Sequence, residues 1–347
     1  MDVNNTYKDQ ICVEEQINLF VNEYTPEPCD GSCTRFHDKE TLPKFYDEEK
    51  FKIGQQFYHK HLFSMLLGKL LGLVTLLSTP SILKILIFTK MSSEPMTAYK
   101  RYMATVFHTC VWYENDFKPG SKLWRSIAAV KNMHNAASKK SCAIGSQPIL
   151  QRDMGLTQFG FMGFVIVRSE LIGIHNASQK ELEGFVHLWR VIGYILGIDD
   201  RFNICRSSVE ETKQLCEALL ERIFVPNIKM QDPQYLQMAD ALINGMQVME
   251  PSLDTKAYMT YLNKLLNYNL NNNESKIPDI ELTSYQRFLV NVISLVTYYL
   301  KYNVVRWIYN IKQIISFWLL RHFPFIAFFK FSYKNSYVSI HIDRKST

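Results

Sequence analysis

From Asp47 onward, apolar positions recur at helical spacing, and no alternating Val/Ile/Thr-rich pattern of a strand occurs before residue 332. Phe51, Phe57, Phe63 and the run 66–77 predict long apolar helices. Ser78-Thr79-Pro80 ends them, and Pro80 suits the start of a further apolar helix over 82–88. Helices are expected over 99–112 and 122–138, with a turn at Asn115-Asp116 and Pro119-Gly120 between them. The segment 148–168 carries glycines at 155, 160 and 163, which allow close helix approach. Ser178 with Glu181 three residues on is a capping box opening a helix over 179–196, and Gly197 ends it. Helical patterns over 209–223, 233–249 and 255–267 complete the body; the Asn244-Gly245 pair lies inside one of them. No internal repeat is present. The expected fold class is all-α: a helical bundle over 46–281, a polar, proline-punctuated and loosely structured lead-in over 1–45, and a distinct C-terminal helical tail over 282–347.

The apolar stretch 62–88 is long enough to cross a bilayer, but Lys69, Lys84 and the Thr79-Pro80 break divide it, so buried core helices are expected. The tail differs in kind. Its apolar and aromatic segments, 288–300, 304–320 and 323–329, are each short for a span and are interrupted by single bases. Such helices lie at a membrane interface, with Trp307, Tyr309 and Trp318 at headgroup depth and the bases toward anionic lipid. The alternatives are a spanning tail and a basic helical hairpin packed on the body.

Charge sharpens this reading. The chain of 347 residues is 47% hydrophobic and 21% charged, too polar for a polytopic membrane protein and too apolar for disorder. Its net charge of +6 is unevenly placed: 282–347 holds nine Lys/Arg and one acid, net +8, and the other 281 residues are net −2. The excess positive charge therefore describes the tail's partner, membrane lipid. Nucleic-acid binding is not expected, because the body is slightly acidic and the tail too apolar. The segment Met1-Asp2-Val3-Asn4-Asn5 lacks the basic start and apolar run of a secretory signal, and seven scattered cysteines do not form a disulfide framework. Both point to an intracellular protein, which the tail would place at a membrane. Cys29, Cys33 and His37 have metal-like spacing without a fourth ligand.

Candidate chemistry is concentrated on two helices. Arg101, Thr105, His108 and Trp112, spaced four, three and four apart, share one helical face. A cation, a hydroxyl, an imidazole and an indole are poor material for a dry core, because each polar group needs a partner. The stripe suits either a pocket wall or a buried polar network between helices. His134 follows Ile127 and Val130 on an apolar stripe, among Ala128, Ala129, Ala136 and Ala137. It reads as a satisfied core histidine or as a haem ligand, a neutral imidazole in an apolar slot. His187, Arg190 and Tyr194 share a third face, in a segment apolar on most sides. No Walker loop, dinucleotide fingerprint, HExxH or nucleophile elbow occurs.

The ordered set Arg101-x-x-x-Thr105, Ser126-x-x-x-Val130-Lys131-x-x-His134, Gln151-x-Asp153-Met154 and His187-x-Trp189-Arg190-x-x-Gly193-Tyr194-x-x-Gly197 resembles the rubber-oxygenase (latex-clearing protein) and mpaB-type ER-bound oxygenase catalytic domain, over about 47–279. The resemblance implies an all-helical oxygenase that holds b-type haem through one histidine and cleaves carbon–carbon double bonds of isoprenoids with O2. It makes His134 the iron ligand, places Arg101, Thr105 and His187 at the haem pocket, and implies an unsaturated lipid or isoprenoid substrate and an endoplasmic-reticulum membrane location. Two positions depart from the pattern. Ala104 stands where rubber oxygenases have a lysine before the threonine, and their catalytic glutamate has no counterpart, since Glu94 lies too close to Arg101. His108, one turn beyond Thr105, is the candidate replacement on that face, and Lys131 takes the place of an arginine. A homologue that has lost turnover and binds lipid, and a cofactor-free helical scaffold, are the alternative readings. Substrate identity and oligomeric state are not fixed by these residues.

Overall fold

A computed structural model describes residues 11–22, 27–29, 42–269, 276–340 and 342. Among these the chain is helical, with a single isolated bridge, Pro28 to Leu150, in place of any strand. The all-α expectation holds. Cys33 and His37 lie outside the described residues; Cys29 is buried there.

The helices, in chain order, are α1 (Val13–Val21), α2 (Glu48–Lys60), α3 (Leu62–Leu77), α4 (Pro80–Thr89), α5 (Pro95–Glu114), α6 (Lys122–Ala143), α7 (Gln151–Val167), α8 (Gln179–Leu196), α9 (Val209–Leu219), α10 (Val225–Lys229), α11 (Pro233–Met246), α12 (Thr255–Leu266), α13 (Ser284–Tyr299), α14 (Asn303–His322), α15 (Phe325–Phe331) and α16 (Tyr333–Ser336). Local signals set many of their ends. Ser178 caps α8 in a reciprocal box with Glu181, and Gly197 terminates it in the left-handed region at φ 93°. Pro80 and Pro95 occupy the first turns of α4 and α5, where a missing N–H costs nothing.

α3 is the centre of the molecule. Fourteen of its residues are buried, and it packs chiefly on α7. The two helices meet at glycines: a Cβ built on Gly72 would lie 2.2 Å from the carbonyl oxygen of Gly160. α2 and α8 meet in the same way, since a Cβ on Gly54 would lie 2.5 Å from the Gly184 oxygen. Backbones this close need residues without side chains, and the chain supplies them on both partners. The stretch 62–88 is thus buried core.

Part of the lead-in is more ordered than its composition predicts. α1 buries Gln16, Ile17 and Phe20 against α9 and the 201–206 segment, and the Gln16 side chain donates to the carbonyls of Arg201 and Asn203. Two and a half amphipathic turns are too short to stand out among polar residues, so the tertiary contact and not propensity holds the helix.

The tail folds back on the body through one face only. Asn310 Nδ2 donates to the carbonyls of His59 and Lys60 at the α2 end, Lys312 pairs with Glu250, and Tyr99 OH donates to the Ser336 carbonyl. Its other face carries Trp307, Ile308, Ile314, Ile315 and Trp318 exposed, and Phe329 is 92% exposed. Among the described residues no single helix is long and apolar enough to cross a membrane. α13 and α14 pass that test only as a pair bent by 119°, as α2 and α3 do at 93°.

Candidate functional site

A cavity of about 930 Å³ lies between α3, α4, α5, α6, α7 and α8 and is bordered by the C-terminal residues Tyr337, Val338 and Ser339. Its size is at the upper end of small-molecule and cofactor sites. The connection 115–121 turns α6 back alongside α5, so the start of one faces the end of the other. Arg101 therefore acts electrostatically on His134, and His108 meets Ser126.

All four residues of the α5 stripe reach the cavity: Arg101, Thr105, His108 and Trp112 line it, with Ala104 between them. The stripe is a pocket wall and, at its far end, also a polar network. His108 Nδ1 is 2.7 Å from Ser126 Oγ, and Trp112 Nε1 donates to the same oxygen at 2.9 Å. Arg101 Nη1 donates to Thr89 Oγ1 at 3.3 Å, and burial lowers its pKa. The Thr105 hydroxyl spends its proton on the Arg101 carbonyl, so toward anything else it can only accept.

From α6, His134 projects into the same space beside Val130, Ala136 and Ala137. Burial and then the Arg101 charge push its pKa down to about 4, so the imidazole is neutral at pH 7. Nδ1 is buried without a hydrogen-bond partner among the described residues. A satisfied core histidine would have one. Burial likewise pushes His108 down to about 4.

The opposite wall comes from α7 and α8. Asp153, Met154, Thr157 and Phe161 follow a helical face of α7, and Trp189 and Gly193 one of α8. Asp153 accepts from Ser81 Oγ at 2.6 Å and from the Leu150 N–H, so it caps and ties helices at the cavity edge. The i, i+4 spacing of Thr157 and Phe161 is the sequence signal that could have found this wall. Residues 337–339 carry no comparable signal, because their place follows from where the tail docks.

His187 is a correction to the sequence reading. It is not among the cavity-lining residues; its Nε2 accepts the Asp47 N–H at 3.0 Å, and its ring packs on Phe45 and Tyr46. The helix period explains this: with Trp189, Gly193 and Leu196 facing the cavity, position 187 points the other way. Arg190 and Tyr194 share that outer face, both packed on Phe45.

The fold and site define an all-helical protein with a mostly apolar cavity lined by two neutral histidines, His108 and His134, and an arginine–threonine pair. The chain belongs to the family described as ER-bound oxygenase mpaB/B'/Rubber oxygenase, catalytic domain, which it matches over residues 57–319. Among solved structures it is similar to latex clearing protein LCP in the closed state, at 14% identity and a TM-score of 0.46, covering 88% of this chain and 85% of that one. No curated protein sequence matches the chain.

Proposed function

We propose that the protein is a membrane-associated, haem-dependent oxygenase acting on an unsaturated hydrophobic lipid or isoprenoid. The observation that carries this reading is His134, a neutral imidazole that faces a cavity of about 930 Å³. Among the described residues no three His, Cys, Asp or Glu side chains converge to hold a bare metal ion. A single imidazole instead suits an iron that brings its own equatorial ligands, as haem b does. The residues present fit such a group: small Ala136 and Ala137 beside the ligand position, apolar walls from α3 and α4, and Arg101 and Thr105 alongside. Bound haem would supply the activation of O2. The chain's own residues would hold the iron (His134), line the macrocycle (Arg101, Thr105), present a polar group to the cavity (His108), and keep water from the apolar chain of the substrate (Leu73, Leu76, Ile85).

His134→Ala is the direct test. Purified protein reconstituted with haem is expected to show a Soret band that the variant loses or shifts, and to convert an isoprenoid or unsaturated-lipid extract only when O2 is present. A wild-type protein with no Soret band after reconstitution would sink the haem assignment. One observation favours the second reading, a homologue that binds lipid without turnover: at Ala104 the cavity wall offers a methyl group where rubber oxygenases have a lysine. Haem binding without O2-dependent product would select it.

The tail supports the membrane half of the proposal, with an intracellular, endoplasmic-reticulum membrane as its location. Its outer face exposes Trp307 and Trp318 among bases, the pattern of a surface-lying helix. The protein is expected to float with vesicles containing phosphatidylserine, less so as salt rises. The Trp307→Ala/Trp318→Ala double variant should bind them markedly less. Equal recovery of both proteins in the vesicle-free fraction would refute a lipid-facing tail.

A further inference from the structure

We infer that His108 is a fixed hydrogen-bond donor to an oxygen acceptor on the cavity's ligand, and that Ser126 and Trp112 are the positioning residues that set its tautomer. The inference deepens the proposed function, and because it rests on the hydrogen-bond geometry around His108 it holds whether or not iron is present.

Ser126 Oγ is fully buried between two partners, Trp112 Nε1 at 2.9 Å and His108 Nδ1 at 2.7 Å. An indole N–H can only donate, so Trp112 uses a lone pair of the serine oxygen. The one remaining question is which way the His108 contact runs. If Nδ1–H donated, the serine oxygen would accept twice and its own proton would need another acceptor. No such acceptor lies within hydrogen-bond reach of Ser126 Oγ among the described residues. A buried O–H without an acceptor is a costly arrangement. The serine therefore donates to Nδ1, and the proton of the imidazole sits on Nε2.

Nε2 is then the ring nitrogen left for a ligand in the cavity. His108 lines the cavity, and its Nε2 has no protein partner among the described residues. Burial keeps the ring neutral at pH 7, so it carries one N–H and that proton is on Nε2. A group so arranged cannot take a proton from a ligand at Nε2. It can only offer one, to a carbonyl, carboxylate or other oxygen. This separates its role from that of His134, whose buried Nδ1 lacks a partner among the described residues, so that no hydrogen bond fixes its tautomer. Ala104 cannot provide a donor on this wall; His108, one turn further along α5, can.

The experiment uses the full chain labelled with 15N-histidine. Two-bond 1H–15N spectra at pH 7 report the tautomer of each ring, and His108→Gln identifies the signal. The Nε2–H form is expected in the wild type, a changed tautomer in Ser126→Ala, and return to Nε2–H in Ser126→Thr, which keeps the hydroxyl. A binding arm uses a long-chain ketone and the alkene of equal length, followed by tryptophan fluorescence. The wild type should prefer the ketone by about tenfold, the size of one net hydrogen bond, and His108→Phe should abolish the preference. An Nδ1–H or imidazolium signal in the wild type, an unchanged signal in Ser126→Ala, or no ketone preference would each overturn the assignment. Circular dichroism of each variant separates these outcomes from misfolding. Failure of haem binding leaves all of them untouched, so the two proposals fail separately.

Discussion

Gly72→Ala is expected to destabilise the protein by about 3 kcal/mol, the upper end of overpacking costs, whereas Gly160→Ala across the same contact should be close to neutral. The difference is geometric. The added methyl at 72 would lie 2.2 Å from the Gly160 carbonyl oxygen and 2.7 Å from its carbon, so backbone must move. At 160 the nearest atom is the Gly72 oxygen at 3.4 Å, ordinary contact, and alanine's better helix propensity offsets the strain by up to about 1 kcal/mol. Because Leu73, Leu76 and Leu77 continue α3 into the cavity wall, separation of α3 from α7 should also widen the site. Urea unfolding of the two variants checks this; equal midpoints would show that the crossing is looser than a 2.2 Å approach requires.

Three residues earlier on α3, a substitution should have the opposite effect. Lys69→Met is expected to stabilise the fold by about 3 kcal/mol at pH 7. Lys69 is 3% exposed, its ammonium donates to Thr109 Oγ1 and lies 5.9 Å from the centre of the Phe161 ring, and no carboxylate pairs with it among the described residues. Burial lowers its pKa from 10.5 to about 8. Below pH 8 both folded and unfolded chains carry the proton, and the folded one bears the full desolvation cost. Between pH 8 and 10.5 the unfolded chain keeps a proton that the folded chain has lost, so wild-type stability rises with pH. Above 10.5 the penalty is gone. The gap between Lys69→Met and wild type should therefore be widest at neutral pH and close across that window. A methionine variant no more stable than the wild type at pH 7, or a gap constant to pH 10.5, would contradict a lone buried ammonium.

Much of the helical order was legible because it is written locally. The Ser178–Glu181 box, Gly197 and the turn at Gly120 act over four or five residues, and the helix ends fall where they predict. The α5 stripe was legible for the same reason: spacing on one helix fixes which side chains share a face. What faces that stripe was not. α1 looked loosely structured because its burial depends on α9, nearly 200 residues away, and the same is true of Tyr337 to Ser339 at the cavity edge. His187 was misplaced because periodicity says which residues stand together and nothing about which side of α8 is turned to the cavity.

The sequence by itself determined an all-helical chain of this oxygenase family, with its excess positive charge set among apolar and aromatic segments at one end. Periodicity, caps and charge runs are properties of short segments, and folding does not alter them. Only the tertiary structure decided that Arg101, Thr105, His108 and His134 open on one cavity, that Ser126 stands between His108 and Trp112, and that Lys69 is buried with no carboxylate partner among the described residues. Those facts arise where helices distant in sequence come within a few ångströms of each other, a distance that no pattern along one chain encodes.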